Sequence, residues 1–109
     1  MLQPHRAGRV NRGAMAAYVL ATVRITDPAG YEEYRRLVPA TIERYGGRFV
    51  VRGGRVDVLE GSWEPARVVI VEFPSLERAR AWWESPEYAE ARGIRQATSD
   101  GTLVVLEGV

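Results

Sequence analysis

Three of the four strand-like segments in this sequence are apolar on both of their alternating faces. In residues 17–25 (AYVLATVRI), one alternating set is wholly apolar and the other mixes apolar and polar side chains. Residues 67–73 (RVVIVEF) and 101–108 (GTLVVLEG) repeat this pattern. An antiparallel sheet with one solvent-exposed face usually alternates cleanly between apolar and polar residues. The pattern therefore predicts a sheet covered on both faces, by helices on one side and by a second copy of the chain on the other.

A first helix is predicted between the first two strands. Asp27 is a suitable N-cap and Pro28 suits the first helical position, where its missing N–H group costs nothing. Gly46 and Gly47 supply a left-handed stop. Pro39 lies inside the pattern and is expected to kink or split the helix. Three- and four-residue spacing defines one apolar face, formed by Tyr31, Tyr34, Val38, Ile42 and Tyr45.

A second helical region is predicted after the third strand, and it is expected to be divided in two. Ser75 is the N-cap of the first part, and Ser85 followed by Pro86 repeats the start signal for the second part. The apolar residues of the two parts are Leu76, Ala79, Trp82 and Trp83, and then Tyr88, Ala91 and Ile94.

Two glycines interrupt the segment between these helical regions. Gly53 and Gly54 separate residues 48–51 (RFVV) from residues 55–61 (RVDVLEG). A glycine pair is compatible with a tight hairpin turn or with a bulge that bends one long strand. We favour the bulge, because it gives the simplest order of elements. That order, β-α-β-β-α-β, predicts a ferredoxin-like fold of the α+β class, with a four-stranded antiparallel sheet and helices on one face.

Composition and charge restrict the possible partners. The length of 109 residues with 46% apolar content fits one small domain. Residues 1–14 hold three arginines and no acid, for a charge of +3, whereas residues 15–109 hold 12 arginines and 14 acids, for a charge of −2. A folded part with this charge balance offers no electrostatic case for nucleic-acid binding, which normally needs a basic stripe or patch. No apolar run approaches the roughly 20 residues of a membrane helix.

The terminal segment and the residue types that are missing also carry information. Residues 1–14 have no apolar period and no secretory signal, so we expect a disordered leader or a vector-derived remnant before one domain in residues 15–109. The absence of cysteine excludes disulfides and thiolate sites and is compatible with a cytoplasmic location. All 15 basic residues are arginine, which indicates coding bias, with bidentate carboxylate recognition as the functional alternative.

Several ordered motifs resemble one family. GGRFVVRGG, LEGSW, VVIVEFPS and SPEY, with Arg95 before the final strand, are similar to the uncharacterised DUF1330 family from residue 17 to the C-terminus. The resemblance implies a dimeric α+β barrel, in which two four-stranded sheets pack face to face as a homodimer. The wider group includes cofactor-free monooxygenases that act on polyketide-like quinols, muconolactone isomerases and haem-dependent chlorite dismutases. The resemblance implies fold and assembly more directly than activity.

The residue types that are present limit the reactions and cofactors that we expect. The only histidine is His5, in the leader. Histidine acid–base catalysis and a zinc site with three or four ligands are therefore not expected. Haem use in the wider group depends on an axial histidine, which residues 15–109 lack. No glycine-rich phosphate motif is present, and we predict no cofactor and no metal.

Polar residues on the sheet face turned away from the helices are the first candidate site. Tyr18, at the start of the first strand, is expected to lie near Glu72, at the end of the third, and Arg24 near the beginning of the third strand. In an apolar chamber a polar group needs a partner or a ligand. Glu72 is a candidate base and Tyr18 a candidate proton donor. The alternative is a buried structural hydrogen bond or an ion pair across the dimer.

Arginine and tryptophan side chains are the candidate ligand-binding groups. Arg52 and Arg95 are candidates to bind a carboxylate or a phenolate, with salt bridges as the alternative. Trp63, Trp82 and Trp83 are candidates to stack on a planar ligand, with loop closure as the alternative for Trp63 and core packing as the alternative for Trp82 or Trp83.

Two functions follow from these candidates. One is a cofactor-free enzyme, similar to a monooxygenase or an isomerase, that converts a small aromatic or polyketide-like molecule between helices and sheet. The other is a non-catalytic dimer that binds a metabolite or supports a partner.

Overall fold

The computed structural model describes residues 15–64 and 67–109, and the predicted leader lies outside the described residues. These residues form a sheet and three helices. The strands are β1 (Ala17–Ile25), β2 (Arg48–Arg52), β3 (Arg67–Phe73) and β4 (Ser99–Glu107). The helices are α1 (Pro28–Arg44), α2 (Leu76–Glu84) and α3 (Pro86–Thr98).

The sheet has the predicted ferredoxin-like arrangement. Its strand order is β2-β3-β1-β4, and all neighbouring strands are antiparallel. In the central strand, Tyr18 lies opposite Glu72 of β3 and opposite Leu106 of β4. Because directly opposed residues share a face of the sheet, this register assigns every strand position to one of two faces.

One face of the sheet packs against all three helices and forms the core. The sheet contributes Val19, Ala21, Val23, Val71 and Phe73, and the helices contribute Tyr31, Tyr34, Val38, Ile42, Ala79, Trp82, Tyr88 and Ala91. The other face carries none of these core residues. Among the described residues, no helix is both long enough and apolar enough to cross a membrane.

The helix ends follow the predicted capping signals. The Asp27 carboxylate accepts a hydrogen bond from the Gly30 N–H group at 3.2 Å. Ser75 caps α2 and Ser85 caps α3 in the same way. At the end of α1, Gly46 has a φ of +83°, and the N–H group of Gly47 donates to the Ile42 carbonyl at 2.9 Å. This bonding satisfies carbonyl groups that the last helical turn leaves without partners.

Two predictions about local structure are wrong. Residues 55–61 do not extend β2, which ends at Arg52, and residues 54–64 form no regular structure. A continued strand would have no partner, because β3 begins only at Arg67 and Arg52 already lies opposite Val69. The apolar side chains of this loop are exposed instead, with Leu59 91% exposed. The bulge in β2 lies between Phe49 and Val51, not at the glycines.

Pro39 does not split α1, which is a single helix from Pro28 to Arg44. Proline has no N–H group, so the carbonyl of Arg35, four residues earlier, loses its usual helical donor. That carbonyl accepts a hydrogen bond from Nη2 of Arg52 at 3.4 Å. The Arg52 guanidinium therefore replaces the missing donor. The Arg35 carbonyl that Pro39 leaves free is thus hydrogen-bonded to the end of β2.

Candidate functional site

The sheet face turned away from the helices carries the predicted Tyr18–Glu72 pair. The Tyr18 hydroxyl donates to Oε2 of Glu72 at 3.0 Å. Arg48, which lies opposite Glu72 in β2, donates from Nε to Oε1 at 2.8 Å. Arg24 is six residues from Tyr18 along β1, or roughly 20 Å, and pairs with Asp100 at 3.8 Å. Tyr18 and Glu72 are therefore in contact, as predicted, and Arg48 is a third member of this group. Arg24 lies at the other end of β1 and does not belong to it.

A second site lies between the helices and the other face of the sheet. It is a partly open cavity of about 40 Å³, which we call the inner cavity. Its polar lining consists of Arg35, Arg52, Arg67, Arg95, Tyr31 and Tyr34, and its remaining lining is apolar or aromatic and includes Val19, Val71 and Trp82. No carboxylate of the described residues lines it. The inner cavity is therefore positively charged on an apolar background.

The structure fixes Arg52 at this cavity by two contacts. Its guanidinium reaches the Arg35 carbonyl left free by Pro39. The same guanidinium lies over the Phe49 ring, 4.2 Å from the ring centroid. Both contacts leave donors of the guanidinium available, because this group has five N–H bonds.

Arg67 has a buried polar atom without a partner. Its Nε is buried and forms no hydrogen bond. Leaving a buried donor unsatisfied costs about 1–3 kcal/mol. The guanidinium lies against Gly53, where an added Cβ would be 2.1 Å from Nη1 of Arg67. A side chain at this position would displace the Arg67 guanidinium, and the φ of +74° also favours glycine.

Arg95 is linked to two buried tyrosines. Its Nε donates to the Tyr88 hydroxyl at 3.2 Å, and the Tyr88 and Tyr34 hydroxyls are 3.0 Å apart. Burial raises the pKa of Tyr34 far above its ordinary value, and neighbouring Tyr88 raises it further. The Tyr34 phenol therefore stays protonated at neutral pH and acts in this cavity as a hydrogen-bond donor or acceptor, not as a base.

The raised pKa of Tyr34 predicts a loss of stability at alkaline pH. The unfolded chain releases the Tyr34 proton near pH 10, whereas the folded chain keeps it. This contribution is complete below pH 10 and is lost as the pH rises above it, by up to about 1.4 kcal/mol per pH unit. Urea unfolding between about pH 8 and pH 11.5 should show a shallower decline for Tyr34→Phe than for the wild type. Parallel declines would contradict this assignment.

An open groove lies next to the inner cavity. It lies between α2, α3 and β4, has a volume of about 490 Å³ and is lined by Arg80, Trp83, Asp100 and Val105 among others. We call it the outer groove. Arg95 and Leu103 line both spaces, so they form the boundary between them.

The predicted site residues therefore fall on two sides of the sheet. Arg52, Trp82 and Arg95 line the inner cavity, whereas Tyr18 and Glu72 lie on the opposite face. Trp63 is 49% exposed in the loop before β3 and lines neither space.

Three residues of the inner cavity were not predicted from the sequence. Arg35 and Arg67 had no predicted role, and Tyr34 was predicted only as a residue of the apolar helix face. Two signals were available: Arg67 shares its strand parity with the core residues of β3, and Pro39 marks the Arg35 carbonyl as lacking a donor.

In the part of the chain that the structure describes, no group of three or more His, Cys, Asp or Glu residues is arranged to hold a metal ion.

Comparisons with known proteins identify the family and the fold. The family model described as a domain of unknown function (DUF1330) matches residues 16–109. Comparison with curated proteins finds no match. Among solved structures, the RPA0582 protein of unknown function from Rhodopseudomonas palustris is similar, with 24% identity, a TM-score of 0.72 and coverage of 100% of this chain and 95% of that chain.

SnoaB, a cofactor-independent oxygenase from Streptomyces nogalater, has the same fold. It shares 14% identity and a TM-score of 0.58, over 85% of this chain and 92% of that chain. At such identities the likeness establishes the ferredoxin-like fold and no activity.

Proposed function

We propose that this chain, which belongs to the DUF1330 family, is a homodimeric small-molecule-binding protein that oxygenates an aromatic or polyketide-like compound without a cofactor. The compound binds between the helices and the sheet. The observation that carries this proposal is an apolar, aromatic-lined inner cavity that also has arginine residues in its lining and lies next to an open groove. A solved structure of the same fold belongs to a cofactor-independent oxygenase.

The two spaces together suit a small planar molecule. The inner cavity, at about 40 Å³, is too small for an aromatic ring, because an engineered apolar cavity that binds benzene measures about 150 Å³. The outer groove, at about 490 Å³, lies within the usual range for ligand pockets. The ring therefore lies in the groove, and one substituent passes Arg95 and Leu103 into the inner cavity.

The residues at this boundary support oxygenation of a phenol. A guanidinium close to a phenol stabilises the phenolate, so Arg95 favours the ionised, electron-rich form of the ligand. The phenolate supplies the electrons that reduce O₂. One oxygen atom becomes a ring carbonyl and the other leaves as water, so that a phenol and O₂ give a quinone and water. No cofactor is needed, since the substrate provides all the electrons.

The homodimer is proposed from the other face of the sheet. Val104 and Leu106 are 44% and 51% exposed there, and the register places them beside Leu20 and Tyr18 of β1. Among the described residues, no helix packs on this face. A second copy of the same face is apolar and self-complementary, as a two-fold interface requires.

The sheet face also provides a second candidate site. Tyr18 donates to Glu72 on a largely apolar face, which two protomers would enclose between them. In that case Glu72 accepts the substrate proton and Tyr18 returns it. A non-catalytic dimer that binds a metabolite in the same spaces is the alternative to both enzyme sites.

Oxygen uptake by variants distinguishes these possibilities. A thermal-shift screen of phenols and naphthols identifies a ligand, and an oxygen electrode then measures turnover. We expect Arg95→Met to lower turnover at least about tenfold, since a charged hydrogen bond contributes about 1.5–3 kcal/mol. We expect Glu72→Gln and Tyr18→Phe to leave the turnover of the dimer within about twofold, because their side chains face away from the helix–sheet space.

The opposite effects of these variants on turnover would indicate that the reaction takes place on the sheet face turned away from the helices. Slow turnover in both Glu72→Gln and Tyr18→Phe, with Arg95→Met unchanged, would support the second candidate site. Binding without oxygen uptake would favour the non-catalytic dimer. Failure of every aromatic compound to bind would reject the proposed ligand class.

A further inference from the structure

We infer that the ligand is a hydroxylated aromatic carboxylate and that its carboxylate is bound in the inner cavity by Arg67 and Arg52. This inference rests on the proposed function of the helix–sheet space and adds the chemical class of the ligand. It assigns the carboxylate to the inner cavity and leaves Arg95, at the boundary, for the phenol oxygen.

The first support is an imbalance of charge. Four arginine residues line the inner cavity, and no Asp or Glu of the described residues does. Arg35 has a partner outside the cavity, Glu32, at 3.1 Å between Nη1 and Oε2. Within residues 15–64 and 67–109, Arg52, Arg67 and Arg95 form no salt bridge. Because these positive charges raise the local potential together, the cavity favours an anion.

The second support is the unused donor of Arg67. Its Nε is buried without a hydrogen-bond partner, and buried polar groups in folded proteins almost always have one. Gly53 leaves room for its guanidinium. An anion in the cavity would accept from this Nε, so ligand binding would satisfy the group.

The donor type and the size of the cavity indicate a carboxylate. The planar guanidinium presents paired N–H groups that match the two oxygens of a carboxylate. Among the described lining residues there is no Lys, Ser or Thr to bind the additional oxygens of a phosphate. A volume of about 40 Å³ exceeds the roughly 30 Å³ of one water, so it admits a carboxylate but not the ring. The ring then lies at the opening of the inner cavity, next to the carboxylate.

A pair of nearly isosteric ligands tests the charge requirement. Benzoate is ionised at neutral pH, whereas benzamide has the same ring and a neutral planar group. Isothermal titration calorimetry of the full-length protein should show that benzoate binds at least about tenfold more tightly than benzamide, as loss of charged hydrogen bonds predicts. Acetate should bind more weakly than benzoate, because it lacks the ring.

Variants of the same protein locate the carboxylate. We expect Arg67→Met to weaken benzoate binding about 10- to 100-fold and to weaken benzamide binding less, because a neutral carbonyl forms a weaker hydrogen bond with a guanidinium than a carboxylate does. Arg36→Met is the matched control, because Arg36 is exposed on α1, pairs with Glu33 and lines no part of the inner cavity. If circular dichroism shows that Arg67→Met does not fold, Arg52→Met provides the same comparison.

Each outcome decides between the inference and the function on which it rests. Equal affinities for benzoate and benzamide, or unchanged benzoate binding in both arginine variants, would overturn the carboxylate while leaving an aromatic site. If acetate binds as tightly as benzoate, the inference that the ligand contains an aromatic ring is wrong. If neutral phenols bind and benzoate does not, this inference fails and the proposed function stands. If no aromatic compound binds, both fail.

Discussion

Replacing Ile70 with glutamate is expected to convert the proposed homodimer into monomers at micromolar concentration. Ile70 lies opposite Leu20 in β1 and Val51 in β2, near the middle of the sheet face without a helical cover. In a two-fold interface each substitution occurs twice. Burying a carboxylate without a partner costs several kcal/mol. A total of about 4–6 kcal/mol corresponds to a 10³- to 10⁴-fold weaker dimer.

Analytical ultracentrifugation over about 1–100 μM measures this change directly, since a homodimer with a standard interface of about 1,600 Å² is often stable in that range. Ala40→Glu is the control, because Ala40 is exposed on α1, on the helical side of the molecule. The control should remain dimeric. A wild-type protein that sediments as a monomer, or an Ile70→Glu variant that remains a dimer, would exclude this interface.

The sequence predicts those elements that depend on local signals. The bounds of β1 and β3 and the caps at Asp27, Ser75 and Ser85 agree with the structure, because each rests on alternation or on a side chain within three residues. The segment RVDVLEG has the same alternation as a strand, yet it forms none. Its conformation depends on whether a neighbouring strand is available, and the strand beside β2 starts only at Arg67.

The candidate sites differ in predictability for a similar reason. The Tyr18–Glu72 contact follows from antiparallel pairing of two recognised strands. The inner cavity instead combines α1, β2, β3 and α3, and no periodic pattern specifies how arginines from four elements converge. Strand parity gives one further result: Glu72 and Arg67 cannot share a face of a regular strand, because they are five residues apart. The sequence therefore already separates the two sites across the sheet.

Trp82 and Trp83 provide the second large effect, because adjacent tryptophans have opposite environments. Trp82 is 1% exposed and Trp83 is 39% exposed. The Trp82 ring lies 4.1 Å from the Tyr88 ring, between centroids, and its Nε1 donates to Thr41 at 3.0 Å. We expect Trp82→Ala to lower the free energy of unfolding by about 3–5 kcal/mol. Trp83→Ala, the control, should cost no more than about 1 kcal/mol.

The same substitution tests whether the helix–sheet space accepts an aromatic ring. Trp82 lines the inner cavity, so Trp82→Ala enlarges that cavity by the volume of an indole group. An apolar cavity of this kind binds small aromatic molecules. Indole should therefore raise the melting temperature of Trp82→Ala, since a ligand that binds only the folded state stabilises it by RT ln(1 + [L]/Kd). It should leave Trp83→Ala unchanged. If indole does not stabilise Trp82→Ala although calorimetry shows the expected loss of stability, the helices have closed over the gap, and the space is too adaptable to hold a ring in one orientation.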